Sequence, residues 1–320
     1  DINSFYYQKL TFNMHSAYQA MFTCFSIGLI IYLNLKDKLV SNWDMYCYVV
    51  FQVIIILLLS SRMQILIIAV LIPLYFIIRY YQIKKLYLGF IYIALIFSFG
   101  YLFIAQPSSL NYRYKQSVSQ INSIGIDNDN SDPRKFIWTE GLKVIKNNWL
   151  IGEGAGDAKD VLVARYSKLI LDNPTADNLV DSTVFQIKQN NKTVAYLKEK
   201  AINSDRTYKE QLSIHAKNRL KRKNTHYKQA FQRAYNFHNQ YLQTFGAIGI
   251  FGLLLLFFLF PYPFILSIRN KNYLAMSFLL IVGASFLTES MLERQAGVAF
   301  ISFFYTLLII LKPNNQHKPS

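Results

Sequence analysis

Seven strongly apolar stretches constrain the fold of this chain more than any other feature of its sequence. They are residues 17–35, 45–60, 63–78, 86–105, 241–268, 273–288 and 296–311. Most of them approach the roughly 17–25 residues that a helix needs to cross a bilayer. The sequence therefore predicts an all-α, polytopic membrane protein with about seven transmembrane helices.

One long polar segment, residues 106–238, lies between the fourth and fifth apolar stretches. It is much longer than the connections that join helices in compact proteins, so we expect it to have helices of its own. The chain is thus predicted to have three parts. They are an N-terminal membrane part over 1–105, a large helical loop over 106–238, and a C-terminal membrane part over 239–320.

The distribution of basic residues predicts the orientation of the spans. The chain carries 34 Lys and Arg against 18 Asp and Glu, and its formal net charge of +16 would by itself suggest a nucleic-acid-binding protein. One alternating set of short loops, together with the C-terminal tail, holds nine basic residues: Lys36, Lys38, Arg79, Lys84, Lys85, Arg269, Lys271, Lys312 and Lys318. The other set holds only Lys9, Arg62 and Arg294. Because basic short loops mark the cytoplasmic side, the 106–238 loop is predicted to face outward, away from nucleic acid.

The loop itself contains 22 basic and 13 acidic residues, a net charge of +9. This charge does not oppose an outward position, because long loops are translocated largely regardless of their charge. The chain starts at Asp1 rather than Met. With an outward N-terminus, we expect an odd number of further helices upstream if the complete protein begins in the cytoplasm.

Three local patterns stand out in the loop. Asp132-Pro133 predicts a helix start, since Asp favours the N-cap and Pro the first helical position, and we expect this helix to end near Gly152. The following Gly-rich run, 152–156, either brings backbone N–H groups close to a phosphate or acts as a flexible helix stop. Residues 206–235 predict a very basic helix, which is either a solvated face or a surface for lipid phosphates or an anionic glycan.

Arg62 and His238 are the candidates for chemistry at the ends of spans. Arg62 lies in a tight hairpin before the third span, where an Arg at membrane depth needs an anionic partner; snorkelling to the interface is the alternative. His238 lies where the loop enters the fifth span, and Asn236 or Asn239 can cap that helix. A helix N-terminus favours phosphate, and a neutral imidazole beside it can act as a general base. The alternative for His238 is an interfacial ring.

The fifth span carries glycines and prolines at informative positions. Gly246, Gly249 and Gly252 are predicted to let neighbouring helices pack closely against it. Pro261 and Pro263 are predicted to bend or end it.

The predicted orientation puts several polar side chains at one membrane face. These are His15 and Tyr18 at the first span, Arg62, His238, and Glu289 and Arg294 at the sixth span, with Arg113 and Arg134 in the loop above. A shared level of this kind predicts a cationic site for a lipid-linked phosphate or diphosphate. The histidines and cysteines show no paired spacing that would hold a metal ion, so none is predicted.

Three motifs, in this order, resemble a known family. They are Ser61-Arg62 before a span, Arg134-Lys135-Phe136-Ile137-Trp138 leading to Leu150-Ile151-Gly152-Glu153-Gly154-Ala155-Gly156, and His238-Asn239-Gln240-Tyr241-Leu242 before a Gly-rich apolar helix. From about residue 10 to 311 the chain resembles the superfamily of O-antigen ligases and O-antigen polymerases, the Wzy-C type.

The resemblance implies a GT-C-like, metal-independent, inverting glycosyltransferase of the bacterial inner membrane that needs no cofactor. Its donor would be a glycan on undecaprenyl diphosphate at the periplasmic face, and its acceptor lipid A-core, a growing glycan or a protein hydroxyl. By the same resemblance, Arg62 and Arg134 would hold the diphosphate, with Arg113 competing for the second position, and His238 would act as the base. The substrate-binding candidates are Arg113, His15, Tyr18, Asn239, Tyr241, Glu289 and Arg294.

Two other classes of function stay open from the sequence. A transporter or flippase of lipid-linked sugars predicts charged residues near mid-membrane and broken helices, whereas here the charges cluster at span ends. A non-catalytic membrane protein for polysaccharide assembly would use the basic loop to contact lipid or glycan, and would not need Arg62 or His238.

Overall fold

Every regular element is helical in the part of the chain that the computed structural model describes, namely residues 14–36, 39–59, 61–82, 84–85, 87–91, 94, 98 and 133–311. The predicted all-α class is confirmed for these residues. Arg113 and most of the predicted 86–105 span lie outside the described residues.

The helices lie before, within and after the polar segment 106–238. Before the polar loop lie α1 (Ser16–Lys36), α2 (Asn42–Leu59) and α3 (Arg62–Gln82). The loop contributes α4 (Pro133–Asn147), α5 (Ala158–Lys168), α6 (Asp177–Lys188), α7 (Asn191–Ile202) and α8 (Tyr208–Gln232). After it come α9 (Gln240–Leu259), α10 (Pro261–Arg269), α11 (Tyr273–Phe286) and α12 (Gln295–Tyr305). A 3₁₀ turn at Met291–Glu293 precedes α12, and a π-helical turn at Thr306–Ile310 follows it.

Three stretches of helix are long and apolar enough to cross a membrane: Ser16–Leu35, Asn42–Leu59 and Gln240–Arg269. Shorter apolar helices cover Arg62–Ile77, Tyr273–Phe286 and Gln295–Ile310. The membrane class of the chain is thus supported by helix length and composition. The predicted count of seven spans stays a prediction.

The chain divides into two compact units. Unit 1 contains Asp1–Arg113, Asn239–Tyr241 and Gly252–Ser320, and unit 2 contains Tyr114–His238 and Leu242–Phe251. In unit 1, α1 packs against α2, α3 and α11, and α10 packs against α11. Its core is aromatic: Phe25 meets Phe278 edge-on with ring centroids 5.4 Å apart, and both side chains are fully or almost fully buried.

Unit 2 has two apolar clusters that share α8. The first joins α4 and α5 to the C-terminal half of α8 through Ile137, Leu162, Tyr166 and Tyr227. The second joins α6 and α7 to the N-terminal half of α8 through a set of six buried residues: Val180, Ile187, Leu197, Leu212, Ala216 and Leu220. The basic helix α8 is therefore the spine of the loop, and its inner face is apolar despite its charge.

Several helix boundaries follow from local chemistry that the sequence reveals. The α8 helix begins with a capping box, in which the Thr207 hydroxyl accepts from Glu210 N and the Glu210 carboxylate accepts from Thr207 N. The helix predicted over 206–235 is thus confirmed. The α4 helix begins at Pro133 as predicted but ends at Asn147, before the predicted end near Gly152. Pro261 opens α10, so the proline pair ends α9 as predicted.

Glu140 on α4 forms a buried ionic contact inside unit 2. Its carboxylate accepts from Arg165 Nε on α5 over 2.7 Å and from Lys143 Nζ over 2.8 Å. Burial of the carboxyl opposes ionisation, but these hydrogen bonds and charges hold the pKa of Glu140 below its ordinary value. The contact therefore links α4 to α5 most strongly when Glu140 is ionised.

Replacing Glu140 with Gln is expected to destabilise unit 2 by about 1–2 kcal/mol at neutral pH, since a partly exposed Arg165 loses its charged partner. The folded pKa lies below the unfolded one. The stabilisation is therefore complete above the unfolded pKa, about 4.3 for Glu. It is lost as the pH falls through the lower, folded pKa. Unfolding titrations of both forms between pH 7 and pH 3 measure this. An unfolding difference that persists undiminished at the acid end would contradict it.

The α9 helix is broken at Gly249, whose φ of 68° and ψ of −157° are not helical. The break frees carbonyl groups that a continuous helix would bond internally. The Gly-rich turn after α4 supplies N–H groups that bond to them instead. The bonds are Glu153 N to Gly246 O (2.8 Å), Gly154 N to Ala247 O (3.0 Å) and Ile250 N to Trp149 O (2.9 Å). This exchange satisfies backbone groups on both sides of the break.

The Gly-rich turn and the break in α9 lie so close together that neither Gly152 nor Gly249 has room for a side chain. A Cβ on Gly249 would collide with the carbonyl of Leu150, and one on Gly152 would lie 2.5 Å from the carbonyl carbon of Ala247. Gly246 instead makes room for the Phe237 ring. The nearest neighbour of Gly246 is thus the Phe237 ring, and that of Gly249 is the Gly-rich turn. The prediction that neighbouring helices pack against these two glycines is wrong.

Candidate functional site

His238, the predicted base, lies in a tight turn of unit 2 just before α9. Its φ of 46° falls in the left-handed region that non-glycine residues rarely adopt. His238 N donates to Asn236 Oδ1 over 3.0 Å, and the Tyr235 ring meets the imidazole edge-on with centroids 5.4 Å apart. Strain of this kind costs about 1–3 kcal/mol and persists only where the surroundings fix the backbone. Asn236 therefore shapes the turn around His238.

Phe237 holds the turn in place from inside unit 2. Its side chain is fully buried, and its carbonyl accepts from Trp138 Nε1 of α4 over 3.0 Å. The ring fills a slot in which a Cβ on Gly141 or on Gly246 would come within 2.8 Å of it. The α4 helix and the broken α9 helix together fix the residue that precedes His238.

In unit 1, the segment 283–292 receives side chains from three other parts of the chain. The bonds are Tyr18 OH to Ser290 O (3.2 Å), Gln64 Nε2 to Ser285 Oγ (2.7 Å), Asn239 Nδ2 to Leu287 O (3.1 Å), Tyr241 OH to Gly283 O (3.1 Å) and Leu292 N to Gln240 Oε1 (2.7 Å). The starts of α1, α3 and α9 thus meet the end of α11. The predicted residues Tyr18, Asn239 and Tyr241 come together here.

Arg62 and Glu289 lie close to this meeting point. Arg62 is the first residue of α3, two positions before Gln64, whose amide is buried against Ser285. Glu289 N in turn donates to Ser285 O over 3.1 Å. Both residues are therefore within about one helical turn of the Gln64–Ser285 contact, and both are half-buried. Arg62 and Glu289 thus lie at the same end of unit 1.

Tyr18 connects the remaining predicted residues of unit 1. The His15 ring meets the Tyr18 ring edge-on with centroids 6.4 Å apart. The bond of the Tyr18 hydroxyl to Ser290 O places it beside the residue that follows Glu289, and Arg294 is exposed at the start of α12. The hydroxyl protons of Tyr18 and Tyr241 are both directed at backbone carbonyls. These two tyrosines therefore support the segment 283–292, and their predicted contact with substrate stays a prediction.

Arg134 lies in unit 2, as the second residue of α4. No acidic residue occupies the first turn of α4. Two cations, Arg134 and Lys135, stand there instead, at the positive end of the helix dipole where they are unfavourable. The predicted role of Arg134 at a diphosphate stays a prediction. A meeting of His238 and Arg134 with the residues of unit 1 stays a prediction, and Arg113 is outside the described residues.

Comparison with known families bears on this arrangement. Residues 47–189 match Wzy_C, the O-antigen ligase family. Over these residues the match confirms the resemblance drawn from the sequence. The match begins within α2 and ends at Gln189, the residue that follows α6. It includes Arg62, Arg134 and the Gly-rich turn but not His238. No curated protein and no solved structure matches the chain significantly.

The O-antigen ligase match and the apolar helices together support a membrane enzyme of the glycosyltransferase type. Among the residues that the structure describes, no group of three or more His, Cys, Asp or Glu could hold a metal ion.

Sequence reasoning missed Gln64, Ser285 and Gln240, which tie the helix ends of unit 1 together. The available signal was an uncharged polar side chain in an otherwise apolar span, because such groups need a partner when buried. It also missed Phe237 as the support of His238. That role depends on glycines at 141 and 246, which are far apart in the sequence.

Proposed function

We propose that the chain transfers a glycan from undecaprenyl diphosphate to an acceptor hydroxyl at the periplasmic face of the bacterial inner membrane. The observation that carries the proposal is the convergence of α1, α3 and α9 on the segment 283–292, which gathers Arg62 and Glu289 at one end of unit 1. His238 is the chain neighbour of Asn239, which binds the same segment. Basic and titratable groups at one end of a helical bundle suit a phosphate-bearing lipid.

The proposed reaction is a single displacement at the first carbon of the donor sugar. The acceptor oxygen forms a bond to that carbon as its proton passes to His238, and the bond from the sugar to the diphosphate breaks. The electron pair of the broken bond leaves with the diphosphate, which remains on its lipid. A single displacement inverts the configuration at the sugar carbon.

In this proposal Arg62 and Arg134 stabilise the leaving diphosphate. A guanidinium stays charged at all relevant pH values and grips two oxygens at once. Stabilising the charge that develops on the leaving group is a sufficient electrostatic role, so the proposed reaction runs without a metal ion. The acceptor is lipid A-core if the chain is a ligase, and a growing glycan if it is a polymerase.

Transporters also contain broken helices like α9. In α9, however, the carbonyls of Gly246 and Ala247 are occupied by the chain's own turn. Because these carbonyls are already hydrogen-bonded within the chain, the break favours an enzyme scaffold over an open pathway for an ion or substrate.

Replacing Arg62 with Gln is expected to lower glycan transfer by about 10²-fold, the order of loss when one group that stabilises the reaction's charge is removed. The matched control is Arg269→Gln, at the end of the predicted fifth span that is expected to face the cytoplasm, and it should leave transfer unchanged. Membranes containing each full-length variant are supplied with undecaprenyl-diphosphate-linked glycan, and the remaining donor and the product are quantified with and without EDTA.

In cells that carry Arg62→Gln, the form of the donor that accumulates separates the acceptor classes. Long chains on the carrier indicate a ligase, and single repeat units indicate a polymerase. Equal transfer by wild type and Arg62→Gln would overturn the role of Arg62, and loss of transfer in EDTA would overturn the proposed metal independence. Donor that accumulates only in the inner leaflet would indicate a flippase instead.

A further inference from the structure

Three exposed apolar residues stand at the end of the turn after α4. They are Trp149, Leu150 and Ile151, here called the apolar tip, and all three side chains are largely open. In a water-filled periplasmic loop such a run would be unfavourable, since exposed apolar patches mark surfaces that bind something. Ile248 and Phe251, exposed on the adjoining part of α9, extend the patch within unit 2.

The backbone bonds of the turn fix the level of the apolar tip along α9. Ile250 N donates to Trp149 O, and residue 250 lies ten residues into the apolar stretch Gln240–Arg269. At 1.5 Å per residue, this is roughly 15 Å from the start of the stretch. The headgroup layer on each side of a bilayer is only about 5–8 Å thick. The apolar tip is therefore level with the part of α9 that enters hydrocarbon.

The order of the bonds agrees with this depth. Glu153, the first charged residue after the tip, pairs with Gly246, which is four residues nearer the helix start than Ile250. The backbone of Glu153 is thus bonded nearer the start of α9 than the backbone of the apolar tip. The sequence of the turn changes from apolar to charged in the direction that a bilayer surface requires.

Non-helical backbone can enter a membrane only where its polar groups are bonded. Part of the turn's backbone is bonded in this way: Gly152 N donates to Asn148 O over 2.8 Å, and three further bonds are exchanged with α9. The break at Gly249 supplies the carbonyls that make those bonds possible. The turn and the break are therefore complementary parts of one element.

We propose that the apolar tip inserts into the lipid leaflet on the same side as the 106–238 loop and anchors the loop to the bilayer. The occupant of this surface is lipid, because the tip is continuous with a membrane-spanning helix and is level with its hydrocarbon part. Trp149 suits this position, because its ring can lie in lipid while its indole N–H extends towards polar groups. This inference does not depend on the catalytic roles of Arg62 or His238.

A nitroxide label tests the position of the tip in the full-length chain, inserted in nanodiscs of phosphatidylethanolamine and phosphatidylglycerol. Cys24 and Cys47 are first replaced by Ala, and Ile151→Cys is labelled. Ile202→Cys at the end of α7 is the matched control, because Ile151 and Ile202 are 75% and 83% exposed. Oxygen, which concentrates in lipid, and a nickel chelate, which stays in water, are compared as relaxation agents.

The label at Ile151 should respond at least several-fold more strongly to oxygen than to the chelate, and the label at Ile202 the reverse. If both labels respond mainly to the chelate, the tip is in water and the proposal fails. If the Ile151 label responds to neither agent, the tip is covered by protein and the proposal also fails. Leu150→Cys replaces Ile151→Cys if that variant does not insert.

Discussion

Replacing His238 with Asn is expected to lower glycan transfer by about 10³-fold while the protein stays folded. General-base catalysis contributes about 10²–10⁴-fold to such reactions, and the Asn side chain cannot accept the acceptor's proton. Asn is the better test than Ala because the φ of His238 is 46°, a value that Asn adopts several-fold more readily than most residues. Asn therefore removes the base and keeps the turn.

The control for His238→Asn lies in the same connection. Ala234 also has a φ of 46°, at the position after α8 where glycine is favoured. Ala234→Gly should stabilise the protein by about 0.5–1 kcal/mol through relief of this strain, and it should leave transfer unchanged. Transfer is measured with undecaprenyl-diphosphate-linked glycan in membranes, and the amount of inserted protein is measured beside it. Full transfer by His238→Asn would exclude the imidazole as the base.

Predictions from the sequence succeeded where one local rule decides the structure. The proline at 133 marks a helix start that depends on neighbouring residues alone. Apolar runs of bilayer length identified the helices of unit 1 for the same reason. These features need no knowledge of distant contacts.

The arrangement of the candidate site depends on residues far apart in the chain. Gln64 and Ser285 are 221 positions apart, and Tyr18 reaches Ser290 across 272 positions. The sequence shows that polar side chains within apolar spans need hydrogen-bond partners, but it does not identify those partners. The orientation rule placed Tyr18, Arg62 and Glu289 at one level because basic loops and span ends carry that information. No comparable pattern in the sequence predicts which residues bond to the segment 283–292.

The break in α9 shows a second limit of sequence reasoning. Gly249 lies in an apolar run that reads as a continuous span, and glycine alone does not end a membrane helix. The Gly-rich turn about 100 residues earlier meets the helix at its break and supplies N–H groups for two carbonyls of α9. Both glycine-rich segments were visible in the sequence, and only their pairing was not.

Replacing Gly249 with Ala is expected to destabilise the protein by about 4 kcal/mol, from two effects in one methyl group. A φ of 68° with a ψ of −157° lies in a region that is essentially restricted to glycine and costs other residues about 1–3 kcal/mol. The new Cβ would also collide with the carbonyl of Leu150, and overpacking of this kind adds about 1–3 kcal/mol. Four kcal/mol is a large part of a total stability of about 5–15 kcal/mol.

Gly156→Ala is the matched control, because it adds the same methyl group to the same Gly-rich turn where no atom lies within 4 Å. Its unfolding midpoint in detergent should equal or slightly exceed that of the wild type. Gly249→Ala should also release the turn, since alanine favours a continuous helix whose own N–H groups would reclaim the carbonyls of Gly246 and Ala247. Limited proteolysis near Trp149 should therefore become faster in Gly249→Ala alone. Equal unfolding midpoints for the two variants would mean that α9 runs unbroken through residue 249.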